Sequence, residues 1–337
     1  MSDVDPMVKP AEIARAAALL RAGALVAFPT ETVYGLGGLA LDPAAIAKIF
    51  AAKGRPSTHP LIAHVLGVAG ARALAKTWSP LADRLAAEFW PGPLTLVVPR
   101  ASSVPLALTG GGDSVGVRAP SHPVAQALLD AVGAPVAAPS ANRYQTLSPT
   151  TAAHVAASLG DRVDMILDGG PCSAGIESTV IDLCGDVPVV LRPGAVDLQR
   201  LAAVVPGVRE AMATLTEAAA PRRSPGLDRR HYAPRTPLLV APTRAAALAE
   251  ARRRIDAGAA VGLLLLRAPG GSDGAVAATV TRSLGDDATT YARGLFSALH
   301  ELDAAGLDAI LVEPVPSAPQ WRAIADRLER GGERLGP

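Results

Sequence analysis

The chain has 337 residues, enough for two domains that each bury a core. Its 32 Lys and Arg against 31 Asp and Glu leave a net charge of +1, which argues against a general nucleic-acid coat or a membrane-surface binder while leaving room for a local basic patch. Two cysteines, Cys172 and Cys184, are too few for a secreted disulfide framework and too irregularly spaced for a zinc pattern, so a reducing compartment fits.

Residues 1–10 carry Asp3 and Asp5 and no apolar core, so they do not read as a signal peptide. The spacing predicts a helix over 11–22, stopped by Gly23, and a buried strand over 24–28. The following PTETVYGLGG, residues 29–38, reads as a loop, polar first and glycine-rich after, able to bring hydroxyls and bare backbone close to a ligand. Its glycines fit neither the dinucleotide fingerprint nor the P-loop. A helix then ends in KGRP, where Gly54 and Pro56 close it and Lys53 and Arg55 are left at its C-terminus. Two cations there ordinarily complement the helix dipole; the sharper reading is that they grip phosphate.

Strands follow at 61–65, 94–99 and 115–118 with a helix over 80–89, an alternation that predicts an α/β or α+β sheet domain. Arg118 closes one strand just before Pro120, placed either for a structural ion pair or for a bidentate grip on a carboxylate. At 136–142 an apolar strand runs into a polar turn bearing Ser140 and Asn142. With Lys53 and Arg55 they supply ammonium, guanidinium, hydroxyl and carboxamide, the donor set that a nucleoside triphosphate needs. Residues 168–182 repeat the design, a flexible turn delivering Ser178 and other hydroxyls at the start of a strand, and LRPG at 191–194 adds Arg192 at a strand end.

After Ala195 an Ala-rich helical stretch leads to residues 221–234, whose Pro, Gly and clustered charge mark an interdomain linker. Beyond it, strands over 237–240, 260–266 and 309–312 alternate with helices near 245–257, 288–304 and 320–330, the pattern of a small parallel sheet. Trp321, Ile324, Ala325 and Leu328 share a helical face that reads as packing, and no glycine fingerprint points to a second nucleotide site. The most apolar stretch, 259–266, is too short to cross a bilayer, so a soluble, cytoplasmic protein without membrane contact is expected.

In order along the chain, PTETVYGLG, KGRP, HPLIAHV, WPGPLTLV, VGVRAPSHP, APSAN, SPT, GIESTVIDL and LRPG resemble the threonylcarbamoyl-AMP synthase family in its two-domain form, over about residues 11–328. The resemblance implies an α/β protein: a YrdC-like twisted mixed sheet with flanking helices at 11–208, a linker at 209–236 lying over the active site as a lid, and a small Rossmann-like domain at 237–337. It implies synthesis of L-threonylcarbamoyl-AMP from L-threonine, bicarbonate or CO2 and ATP, with release of pyrophosphate, for N6-threonylcarbamoyladenosine at position 37 of tRNA.

Residue by residue, it implies that Thr32, His64, Arg118, Ala138 and Ser178 contact L-threonine. Lys53, Arg55, His59, Ser114, Ser140, Asn142, Ser148, Arg192, His231 and Tyr232 fall around ATP, with Lys53 and Arg55 the catalytic cations. Mg2+ would ride on the triphosphate, because no dense carboxylate cluster is visible to hold it. The implied partner is a downstream tRNA threonylcarbamoyl transferase complex. The chain departs from the family pattern at His59, where Asn or Lys is usual, at Tyr144-Gln145, where Ser-Gly is usual, and at Leu227-Asp228-Arg229, where Met, Lys and Tyr are usual. Two alternatives stay open: a carbamoyl-adenylate-forming enzyme on the same fold, and a double-stranded RNA-binding module using the basic run Arg222, Arg223, Arg229, Arg230 and Arg235.

Overall fold

The structure, a computed structural model, describes residues 8–211, 223–226, 228, 230–270 and 276–336. Most of the N-terminal segment read as lacking a signal peptide, and the linker positions 212–222, 227 and 229, lie outside the described residues. The chain divides into two compact units, one built from Met1–Tyr144, Pro149–Ser173 and Glu177–Leu227, the other from Gln145–Ser148, Ala174–Ile176 and Asp228–Pro337.

The first unit is built on a mixed sheet. Its strands are β1 (Val26–Phe28), β2 (Gly35–Leu39), β3 (Ile62–His64), β4 (Leu94–Pro99), β5 (Ser114–Arg118), β6 (Val136–Ala137), β7 (Met165–Ile166), β8 (Thr179–Asp182), β9 (Val189–Arg192) and β10 (Arg209–Glu210). They run in the order β10-β9-β8-β4-β5-β3-β6-β2-β1-β7. Helices α1 (Pro10–Arg21), α2 (Pro43–Lys53), α3 (Val68–Leu74), α4 (Pro80–Phe89), α5 (Leu106–Thr109), α6 (Pro123–Val132), α7 (Ala152–Leu159) and α8 (Leu198–Val204) flank it. Local chemistry sets their ends: Asp42, Ser79 and Thr151 cap α2, α4 and α7 by accepting from backbone N–H groups, and Gly54 and Gly133 end α2 and α6 in the left-handed conformation.

Alternation along the strands explains how one sheet serves both core and site, because successive side chains point to opposite faces. Ala27, Leu36, Ala63, Leu94, Leu96, Val117, Ala137 and Ile181 share one core with α2, α4 and α7. The intervening Val26, Phe28, Val136 and Ala138 pack under α1 and α6 in a second core. On that second face, beyond the strands that those two helices cover, the register sets His64 opposite Arg118, Thr95 opposite Val180 and Val180 opposite Arg192. Polar side chains thus take over where apolar cover ends.

The expected mixed-sheet α/β architecture is present, and the sequence-predicted helix over 80–89 coincides with α4. Two differences have physical causes. Residues 35–38, read as part of a glycine-rich loop, belong to β2 in the sheet interior, where glycine is required because a Cβ on Gly37 would lie 2.9 Å from Phe28 Cε1 and 3.0 Å from the Val26 carbonyl. Here glycine reports close packing rather than a turn. Arg209–Glu210, within the segment read as linker, pair with β9 as β10.

The second unit carries a parallel sheet, β13-β12-β14-β11-β15, from β11 (Leu238–Val240), β12 (Val261–Leu265), β13 (Val280–Ser283), β14 (Ala309–Val312) and β15 (Glu333–Arg334). Between them run α9 (Arg244–Asp256), α10 (Ala288–Ala304) and α11 (Arg322–Gly331). β11, β12 and β14 are the apolar runs visible in the sequence; β13 and β15 are polar edge strands without such a signal. Among the described residues no helix is long and apolar enough to cross a membrane.

Candidate active site

The C-terminus of α2 is one corner of the site. Gly54, at φ 64°, turns the chain so that Lys53 points back into the protein. Lys53 Nζ donates to the carbonyls of Ser140 at 2.5 Å and Asn142 at 2.6 Å, tying α2 to the turn after β6. The third N–H of the ammonium meets the Asn142 Oδ1 at 3.5 Å, the longest of the three contacts and so the weakest. Arg55 is nearly buried and donates through Nη2 to the Pro60 carbonyl at 2.9 Å. Burial, and then the like charge of Arg55, push the Lys53 ammonium well below its ordinary range. Two buried cations that repel each other form a site whose energy falls when an anion arrives. His59 meets the Tyr144 ring edge-on with centroids 5.6 Å apart, and the Tyr144 N–H donates to the Lys53 carbonyl at 2.9 Å.

A second corner lies at the paired ends of β3 and β5. Arg118 Nη2 is 2.8 Å from Glu31 Oε1, and the backbone N–H of Ser121 donates to Glu31 Oε2 at 3.0 Å. Arg118 Nε donates to the Gly92 carbonyl at 3.3 Å, which leaves Nη1 without a hydrogen bond among the described residues. Of the two readings that the sequence left open, the ion pair is therefore present, and it leaves part of the fork for a carboxylate. His64 stands in register with Arg118, and burial, then the Arg118 charge, push its imidazole down to about 3, so it is neutral near pH 7. Thr32 is fully buried, its hydroxyl 2.8 Å from that of Thr30. Ala138 is buried with its N–H on the Ile62 carbonyl at 3.1 Å.

Around the start of β8 a third group forms. Ser178 Oγ is 2.8 Å from Thr95 Oγ1 and accepts from Arg192 Nη2 at 3.1 Å. Arg192 also donates through Nε and Nη2 to the Ser178 carbonyl, at 3.2 and 2.9 Å. Gly194 permits this approach, since a Cβ there would lie 2.4 Å from Ser178 and Thr179 backbone atoms. The linker reaches this group where Arg192 Nη1 lies 3.5 Å from the Pro225 carbonyl, and it reaches the far end of β8 where Arg223 Nη1 is 2.8 Å from Asp182 Oδ2. Ser114 is half-buried at the start of β5, in register with Pro99.

Ser148, His231 and Tyr232, the remaining residues assigned to ATP, belong to the second unit. Ser148 is fully buried with its carbonyl 3.1 Å from His300 Nε2; His231 and Tyr232 are buried with ring centroids 4.0 Å apart.

Sequence reasoning missed Glu31 and Thr95. Glu31 stands in the PTET motif, and its buried carboxylate beside a buried Arg is visible only once β1 and β5 are brought together. Thr95 looked like one more β-branched strand residue; its sole signal was polarity in an apolar run. No thiol offers a nucleophile, because burial pushes both Cys172 and Cys184 up to about 12. Among the described residues no group of three or more His, Cys, Asp or Glu could hold a metal ion.

Comparison with known proteins shows which family the chain belongs to. Residues 18–194 match the Sua5/YciO/YrdC family described as telomere recombination, and residues 196–332 match the threonylcarbamoyl-AMP synthase C-terminal domain. The chain is similar to the threonylcarbamoyl-AMP synthase of Pyrococcus abyssi (strain GE5 / Orsay), 41% identical over 323 residues that cover 94% of this chain and 92% of that one. It is also similar to that of Bacillus subtilis (strain 168), 40% identical over 323 residues with the same coverage, 94% and 92%. The crystal structure of P. abyssi Sua5 complexed with L-threonine aligns with a TM-score of 0.90 at 39% identity, covering 97% of each chain.

Proposed function

Because the chain belongs to the two-domain threonylcarbamoyl-AMP synthase family, and so makes threonylcarbamoyl-AMP for the threonylcarbamoyladenosine modification of tRNA, we propose how its residues divide that work. The observation that carries the division is the pair of buried, mutually repelling cations at the end of α2, Lys53 and Arg55, with Lys53 clamped to the Ser140–Asn142 turn. Lys53, Arg55, Ser140 and Asn142 take the triphosphate of ATP, whose negative charge favours the charged form of Lys53. His59, Ser114, Ser148, Arg192, His231 and Tyr232 complete the nucleotide side. Threonine binds at the other corner, its carboxylate on the Arg118 fork and the rest of it against Thr32, His64, Ala138 and Ser178.

In the reaction the deprotonated amine of threonine forms an N–C bond to CO2, and the amine proton passes to solvent. An oxygen of the resulting N-carboxylate attacks the α-phosphorus in line, and the bond to the bridging oxygen breaks so that pyrophosphate leaves with the electron pair. No covalent enzyme intermediate is needed. The protein supplies positioning and charge stabilisation, as in phosphoryl transfer generally. Mg2+ carried by the triphosphate would supply further charge neutralisation there. A neutral His64 is suited to the threonine corner because it adds no cation beside the substrate amine.

The product is a hydrolysable mixed anhydride, so closure by the linker, already resting on Asp182 and Arg192 through residues 223–225, would protect it. The reaction that consumes it must transfer the threonylcarbamoyl group to a tRNA adenine amine, which makes a tRNA threonylcarbamoyl transferase complex the partner, in the compartment that holds ATP and tRNA. Incubating the protein with ATP, Mg2+, threonine and 13C-bicarbonate should give threonylcarbamoyl-AMP one mass unit heavier than with ordinary bicarbonate. Absence of the label in the product would sink the carboxylation step.

A further inference from the structure

Among the described residues, two other than glycine have φ in the left-handed region: Gln145 at 68° and Tyr232 at 60°. They are neighbours in space. The N–H of Ala233 donates to the Gln145 carbonyl at 2.9 Å, and Thr146 pairs with Ala233 in a parallel bridge. Such backbone persists only where its surroundings over-determine it, and it concentrates at functional sites. For Tyr232 the surroundings come from α10 and α11.

The Arg327 guanidinium lies over the Tyr232 ring, 5.1 Å from its centroid, and Phe296 packs beside it at 5.9 Å. Arg327 is only 2% exposed, a costly place for a charge. Asp326, also buried, accepts from Arg327 Nη1 and from Arg330 Nε, both at 2.9 Å. Arg330 then holds the linker backbone on either side: its Nη1 donates to the Asp228 carbonyl at 2.8 Å, and its own carbonyl accepts from the His231 N–H at 3.0 Å. Gly331 completes the seat, since a Cβ there would lie 2.7 Å from the Tyr232 carbonyl. One turn of α11 thus fixes the ring face, the backbone before it and the floor beneath it.

We propose that Arg327, held by Asp326 and Arg330, is a positioning residue that sets the His231-Tyr232 pair, and that this is what α11 of the C-terminal domain contributes to the reaction. An aromatic face and a desolvated guanidinium attract each other, and the planar fork cannot be replaced by the point charge of Lys without loss of registry. The kinetic half of the proposal rests on the assignment of His231 and Tyr232 to ATP; the positioning half does not.

The test uses the full chain with Arg327→Met, which keeps length without charge, Arg327→Lys, and Arg330→Gln, whose partly exposed side chain makes loss of folding less of a concern. Near-ultraviolet circular dichroism selects the folded variants. Hydrogen exchange at the His231 and Ala233 amides is expected to accelerate at least tenfold in Arg327→Met and about threefold in Arg330→Gln, with Arg327→Lys between. The KM for ATP should rise in the same order while the KM for threonine stays within twofold. Unchanged exchange at both amides in a folded Arg327 variant overturns the proposal. Tyr232→Ala serves as the separate control: if it leaves the KM for ATP unchanged, the ATP assignment fails, and positioning is judged on exchange alone.

Discussion

At the scale of single residues the buried pair of Glu31 and Arg118 matters most for the threonine corner. Glu31 touches no substrate in the proposed arrangement; it holds one amino group of the fork and leaves another. Glu31→Gln keeps the shape and removes the charge, so the partner is left buried and unpaired, a loss of about 3 kcal/mol in such pairs. Urea unfolding should show that loss, and the KM for threonine should rise while that for ATP holds. His64 makes a second prediction. Its folded value near 3 lies below the ordinary 6.5, so between these limits the unfolded chain binds the extra proton. Stability therefore falls as pH drops from about 6.5 towards 3, by at most about 1.4 kcal/mol per pH unit from this group. Unfolding at pH 7 and pH 5 should show wild type losing up to about 2 kcal/mol more than His64→Gln. Arg118 and His64 stood out in the sequence as candidates; the pairing of Arg118 with Glu31 did not, because the partners are far apart in sequence.

Among the elements, those with an apolar run or a capping signal were readable: α4 from Ser79-Pro80, the end of α2 from Gly54, and β12 and β14 from their aliphatic residues. β2 was not, because glycine carries the same local signal for a loop as for a strand under close approach. The structure distinguishes them by what a side chain would meet. Gly37→Ala places a methyl against Phe28, Val26 and Val136 in the sheet interior. Overpacking of this kind costs about 1–3 kcal/mol, and a lowered thermal midpoint with native circular dichroism would register it. A midpoint equal to wild type would mean that Phe28 moves aside freely. The polar edges β13 and β15 were unreadable for a different reason: they are specified by pairing with neighbours, not by their own residues.

For the whole molecule, the alternation of strands and helices on both sides of the linker signal pointed to the two-part α/β plan. What contiguous reading could not show is that Gln145–Ser148 and Ala174–Ile176 belong to the second unit, since segments of three or four residues carry no mark of the core they join. Gly175 shows the reason on inspection of its neighbours: at φ 73°, a Cβ would lie 2.5 Å from Arg293 Cα. Function follows the same division, with the charge-bearing chemistry on one sheet face and the seat of His231 and Tyr232 on α11. The central claim is that Lys53 and Arg55 form the triphosphate site, separate from the threonine corner. Threonine-dependent pyrophosphate release from ATP by Arg55→Ala, with threonine affinity followed by calorimetry, tests it most directly. Loss of one charge-stabilising donor predicts a fall of about 100-fold in release with threonine affinity unchanged; release at the wild-type rate would contradict the account.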